Sequence, residues 1–103
     1  MSDNSINSLY RLDGQVAFVS GASRGIGRSI CISLASQGAT VVGTATTSIG
    51  AQSITDYLQK QGLAGRGIEL NLTNYEDIER CFSDIINNEG YPTVIVNNAG
   101  ITR

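Results

Sequence analysis

The sequence predicts an α/β fold built on a doubly wound parallel sheet, and three observations carry that prediction. Short β-branched or apolar runs alternate with helical patterns in the order β-α-β-α-β-α-β. The connections between them are short, so right-handed crossovers and parallel strands are expected, in the order 3-2-1-4. A glycine-rich turn, Gly21-Ala22-Ser23-Arg24-Gly25-Ile26-Gly27, stands between the first run and the first helical pattern.

Residues 15–20 are almost continuously apolar, as suits a strand covered on both faces. After the glycine turn, Ile26, Ile30 and Leu34 recur every four residues beside Ala35, a helix stripe that ends at Gly38. Residues 40–44 are rich in β-branched side chains and read as the second strand. Thr46, Thr47 and Ser48 are candidate caps for a second helix, whose stripe is Ala51, Ile54, Tyr57 and Leu58 and whose end is Gly62. Residues 67–71 alternate and read as the third strand. Thr73 and Glu76 have capping-box spacing for a third helix with Ile78, Phe82, Ile85 and Ile86 on its apolar face. Gly90 and Pro92 close that helix, and residues 93–97 form the fourth strand. Together these make the first βαβαβαβ part of a Rossmann-type sheet. Residues 1–11 read as a polar, disordered leader, and residues 12–103 as the N-terminal part of a dinucleotide-binding domain.

Composition narrows the function classes. A chain of 103 residues is one domain at most. With 41% hydrophobic and 16% charged residues it is globular, and at net charge -2 no basic patch favours nucleic acid. No run approaches the length of a membrane span, and the N-terminus lacks a signal-peptide core. Cys31 and Cys81 lie far apart in helical patterns, and histidine is absent, so no metal site is expected. Two reduced, partly buried thiols fit a cytoplasmic protein.

The glycine turn carries the functional reading. A single glycine at a βα junction is commonly structural. Here the spacing is G-x-x-x-G-x-G, different from the standard G-x-G-x-x-G. Gly21 lets the chain turn off the strand, Gly25 lets backbone approach a ligand, and Gly27 lets the helix pack on the sheet. Free N–H groups and the dipole at the helix start then favour a pyrophosphate. An NAD site would place an acid about 20 residues on. The second strand ends Gly43-Thr44-Ala45-Thr46-Thr47, and the next carboxylate is Asp56. Hydroxyls at Ser23 and Thr46 with the Arg24 guanidinium favour NADP(H), because the planar fork of arginine suits phosphate. Asn97-Asn98-Ala99-Gly100, after the fourth strand, is expected to form the opposite wall.

Gly21 to Gly27 together with Asn97 to Gly100 resembles the short-chain dehydrogenase/reductases. More narrowly, Val42 to Thr46, Gly50 to Gln52, Asp56 to Leu58 and Asn97 to Arg103 are similar to bacterial 3-oxoacyl-[acyl-carrier-protein] reductases. The likeness runs from about Leu12 to Arg103. It implies that Gly21, Ser23, Arg24, Gly25, Ile26 and Gly27 line the pyrophosphate and 2′-phosphate region, with Thr46 by the 2′-phosphate. It places Asn71 and Leu72 beside the adenine, and Asn98, Ala99 and Gly100 beside the nicotinamide ribose. It also implies hydride transfer from NADPH to a β-ketoacyl thioester on acyl carrier protein in fatty-acid synthesis, in a homotetramer, with no nucleic-acid or membrane partner. Ser20 stands where the family often has Thr, and Thr93 where many members have an acid.

The family's catalytic Ser and Tyr-x-x-x-Lys lie downstream of its Asn-Asn-Ala-Gly turn. Tyr10, Tyr57, Tyr75 and Tyr91 all precede that turn here, and none has Lys four residues later. The resemblance therefore makes residues 1–103 the cofactor-binding part of a longer enzyme, inactive alone. A non-catalytic NADP(H)-binding fragment and a short-chain reductase for another carbonyl substrate stay open as alternatives.

Overall fold

β1 (Val16–Ser20) is buried at every position, as a strand covered on both faces must be. The computed structural model describes residues 11–99. Most of the expected leader, and Gly100 in the expected second wall, lie outside these residues. After β1 come α1 (Gly25–Ser36), β2 (Thr40–Ala45), α2 (Ser48–Lys60), β3 (Gly65–Glu69), α3 (Tyr75–Asn88) and β4 (Val94–Asn97). The strands pair in parallel in the order β3-β2-β1-β4, as the alternation predicted. Register brings Phe18 opposite Val42 on one side and Ile95 on the other.

Strand periodicity sorts the core into two layers. Ala17, Val19 and Val41 point to the face covered by Cys31 and Ala35 of α1 and by Ile54, Tyr57 and Leu58 of α2. Val16, Phe18 and Val42 point to the other face, where Cys81 and Ile85 of α3 cover them with Leu70. Burying a residue such as Ile54, Leu58 or Ile85 stabilises the fold by about 1.5–3 kcal/mol each. The Phe18 and Phe82 rings meet with centroids 4.7 Å apart and planes tilted by 39°, an attractive geometry. Arg66 on β3 fastens α3 to the sheet edge: its Nε donates to Glu89 Oε2 at 2.6 Å and its Nη2 to Asp84 Oδ2 at 2.8 Å. No helix among the described residues is long and apolar enough to cross a membrane.

Three local expectations are corrected. The fully buried row of α1 is Gly27, Cys31 and Ala35; of the expected stripe, Ala35 is in it, Ile30 and Leu34 pack partly buried beside it, and Ile26 is 71% exposed. The stripe is thus rotated by one residue from the large side chains toward the small ones, which let the helix sit close to the sheet. β3 begins two residues earlier than the alternation suggested, at Gly65. Parallel pairing of Val41 with Gly65 and Gly43 with Gly67 fixes that register. A Cβ at Gly67 would lie 2.8 Å from the Ala51 carbonyl carbon and from Ile54 Cβ, so α2 requires a bare backbone there. Finally, Asn74 caps α3, not Thr73. Its side chain accepts from the Asp77 N–H at 3.1 Å, while Thr73 donates to Asn71 Oδ1. For α2 the cap is Thr47, one of the expected candidates, accepting from the Gly50 N–H at 3.0 Å.

Candidate functional site

The chain crosses from one face of the sheet to the other between β3 and β4, so the winding reverses at the β1–β4 boundary. In open α/β sheets ligands sit outside the carboxyl ends of the strands at such a point. A cavity of about 680 Å³ lies there, within the range of small-molecule and cofactor sites. Residues following all four strands line it: Gly21 after β1, Ala45 and Thr46 at the end of β2, Leu70 and Leu72 after β3, and Asn98 and Ala99 after β4.

The glycine turn forms one wall. Ser23, Arg24, Gly25 and Ile26 face the cavity with Gly21. Gly21 adopts φ 65°, and a Cβ there would stand 3.1 Å from the Ala99 backbone. Only glycine combines that left-handed turn with so close an approach of the second wall. Gly25 also has positive φ, 64°, and an added Cβ would meet nothing within 4 Å. Gly27 does not line the cavity. It is packed beneath the turn, where a Cβ would run into the Gly21 carbonyl and lie 2.7 Å from Asn98 Nδ2.

Hydrogen bonds tie the two walls together. Asn98 Nδ2 donates to the Gly21 carbonyl at 2.9 Å. The Ser20 hydroxyl donates to Asn97 Oδ1 at 2.9 Å and accepts from the Ala99 N–H at 3.1 Å. Ser20 is 1% exposed, so its hydroxyl is shielded from water on its own side of both bonds.

The electrostatics favour an anion. Thr47 caps α2, and Asn74 caps α3 with Glu76 and Asp77 in its first turn. α1 differs: Arg24 at its N-cap makes no side-chain capping bond, and the first turn holds no acid. Its leading N–H groups and positive dipole end open on the cavity with the Arg24 guanidinium beside them. None of the described residues lining the cavity is a carboxylate.

Of the other expected site residues, Asn71 stands outside the lining. Its Oδ1 accepts from Thr73 N at 3.0 Å and from Thr73 Oγ1 at 2.6 Å, and its N–H donates to Asp77 Oδ2 at 2.8 Å, so it shapes the β3–α3 loop. Thr44, Ala45 and Leu70 line the cavity although the sequence reading omitted them. Their place at the ends of β2 and β3 was the available signal.

Tyr57 belongs to the apolar stripe of α2 and is 6% exposed. Its hydroxyl nevertheless donates to the Ala22 carbonyl at 2.8 Å, and the Arg28 guanidinium lies over its ring, 4.9 Å from the centroid. Burial pushes the phenol well above its usual range, and the neighbouring Cys31 thiol adds to this, so the hydroxyl stays a donor. Burial likewise raises Cys31, partly offset by the neighbouring Tyr57 hydroxyl.

Residues 15–103 match a family model described as short chain dehydrogenase. The chain is 53% identical over 92 residues to the 3-oxoacyl-[acyl-carrier-protein] reductase FabG of Vibrio cholerae, covering 89% of this chain and 36% of that protein. It is 50% identical over 91 residues to FabG of Escherichia coli K12, covering 88% and 36%, and 45% identical over 92 residues to FabG of Pseudomonas aeruginosa, covering 89% and 37%. The chain thus spans just over a third of the length of these relatives.

Proposed function

The chain belongs to the short chain dehydrogenase family, and on that premise we propose that it supplies the NADP(H)-binding part of a 3-oxoacyl-[acyl-carrier-protein] reductase. The observation that carries this reading is the cavity at the winding reversal, which joins an uncapped helix start, Arg24 and Thr46 with no lining carboxylate. A bound nicotinamide dinucleotide supplies the hydride for carbonyl reduction. The leading N–H groups of α1 and the Arg24 fork hold its phosphates. Ser23 and Thr46 offer hydroxyls to the 2′-phosphate, which an acid at the end of β2 would repel. Ala45, Leu70 and Leu72 give an apolar seat for the adenine, with the Asn71 loop at its edge. Asn98 and Ala99 form the wall at the nicotinamide ribose, held against Gly21 by the bond from Asn98, and the family resemblance extends that role to Gly100. The described lining contains no tyrosine or lysine, so this segment holds and orients the cofactor and leaves proton transfer to other groups. The names of the FabG relatives support a 3-oxoacyl substrate carried on acyl carrier protein, and the resemblance drawn from the sequence extends the proposal to a cytoplasmic homotetramer.

Fluorescence titration of the full chain with NADPH and NADH tests the binding reading. NADPH is expected to bind at least about tenfold tighter, the ratio that one extra charge-assisted phosphate contact supports. Thr46→Asp should reverse the preference. Tighter binding of NADH to the wild-type chain overturns the assignment.

A further inference from the structure

Ala22 is fixed at both of its backbone groups. Its N–H donates to the Thr44 carbonyl at 2.8 Å, and its own carbonyl accepts from the Tyr57 hydroxyl at 2.8 Å. The residue is fully buried, and Tyr57 reaches it from α2, 35 residues along the chain. No cis peptide bond is present among the described residues, so the Ala22–Ser23 peptide is trans and planar. In a trans peptide the carbonyl and the following N–H point in opposite directions. A carbonyl held inward on Tyr57 therefore turns the Ser23 N–H outward, on the side where Ser23 lines the cavity. Among the described residues that N–H donates to no protein acceptor. The same ring carries Arg28 of the first turns of α1, so one side chain braces both the glycine turn and the helix start.

We infer that Tyr57 is a positioning residue: it locks the Ala22–Ser23 peptide so that the Ser23 N–H presents a pre-aimed donor to a phosphate of the bound dinucleotide. The inference rests on the NADP(H) reading of the cavity and adds to it a residue outside the lining. Without the hydroxyl, the buried Ala22 carbonyl loses its partner and the peptide is free to rotate. The donor must then be ordered at the moment of binding, which weakens affinity.

The test is Tyr57→Phe in the full chain, which keeps the ring under Arg28 and removes only the hydroxyl. Titration with NADPH should give a Kd about three- to tenfold higher than wild type, as expected for one ordered hydrogen bond. In the wild type, the Ser23 amide resonance should shift strongly on adding NADPH, and in Tyr57→Phe that shift should shrink. A merely structural role would lower the urea midpoint while leaving the NADPH Kd of the folded protein unchanged, and that result overturns the inference. Should the variant fail to fold, the wild-type Ser23 resonance decides alone: a shift supports the inference, and an unmoved resonance refutes it. A wild-type chain that binds neither NADPH nor NADH defeats the underlying reading instead, so the two failures are separable.

Discussion

Replacing Gly27 by Ala sets two physical effects against each other at one position. Gly27 lies within α1 and has no positive φ, so by helix propensity alone alanine should stabilise the chain by about 0.8–1 kcal/mol. Packing argues the reverse. The new Cβ would collide with the Gly21 carbonyl, 2.9 Å from its carbon, and would press on Asn98 Nδ2 at 2.7 Å. The carbonyl is backbone and has no rotamer to move into. Overpacking of this kind costs about 1–3 kcal/mol, and displacing Asn98 from the Gly21 carbonyl forfeits about 1 kcal/mol more. The clash is severe enough to take the upper part of that range, so the net loss should be about 2–3 kcal/mol, a large share of the stability of a typical domain. Urea denaturation of the full chain, followed by circular dichroism, measures it. Gly25→Ala is the control: its Cβ would meet nothing within 4 Å, so only the strain of φ 64° remains, about 1 kcal/mol. A Gly27→Ala chain as stable as wild type, or less affected than Gly25→Ala, would refute the packing argument.

Ser20→Ala should cost about 1–2 kcal/mol, because the buried Ser20 hydroxyl makes two hydrogen bonds, to the exposed Asn97 Oδ1 and from the half-buried Ala99 N–H, and both are lost. The same variant should raise the Kd for NADPH by loosening the second wall, and unchanged affinity would show that Asn98 holds the wall alone. Alkaline pH should also destabilise the chain. Burial raises Cys31 and Cys81 above their ordinary 9.0 and Tyr57 above 10.0. The unfolded chain therefore releases these protons first, so their contribution is complete below pH about 9 and declines as pH rises past it. The urea midpoint should hold to about pH 9 and fall above it, more gently above about pH 10 in Tyr57→Phe, and a flat profile would contradict the burial of these groups.

Much of the fold was legible because burial on both faces and helical periodicity leave strong marks. The run at Val16 to Ser20 and the stripe of Ala51, Ile54, Tyr57 and Leu58 each have one structural solution. The errors came where small residues decide. Gly27, Cys31 and Ala35 form the buried face of α1, and a reading weighted to large side chains chose the row through Ile26 instead. Gly65 has poor strand propensity and lies outside the expected strand, yet its pairing with Val41 beneath Leu58 of α2 selects it. At the site, the glycine spacing and the acid-free end of β2 could be read from local sequence. The cavity's Thr44, Ala45 and Leu70 needed the register of the strands. The Tyr57 bond to Ala22 depends on how far α2 leans over the turn, which no local pattern encodes.

The assignment of Cys31 and Cys81 to opposite faces of the sheet gives the molecule two independent chemical reporters. With β1 and β2 between them, the two sulfurs cannot meet in the native state, so oxidation cannot join them without first dismantling the sheet. Each thiol becomes available to a reagent only when its own helical layer lifts. The relative rates of labelling would thus tell whether the layer that braces the glycine turn opens together with α3 or separately from it.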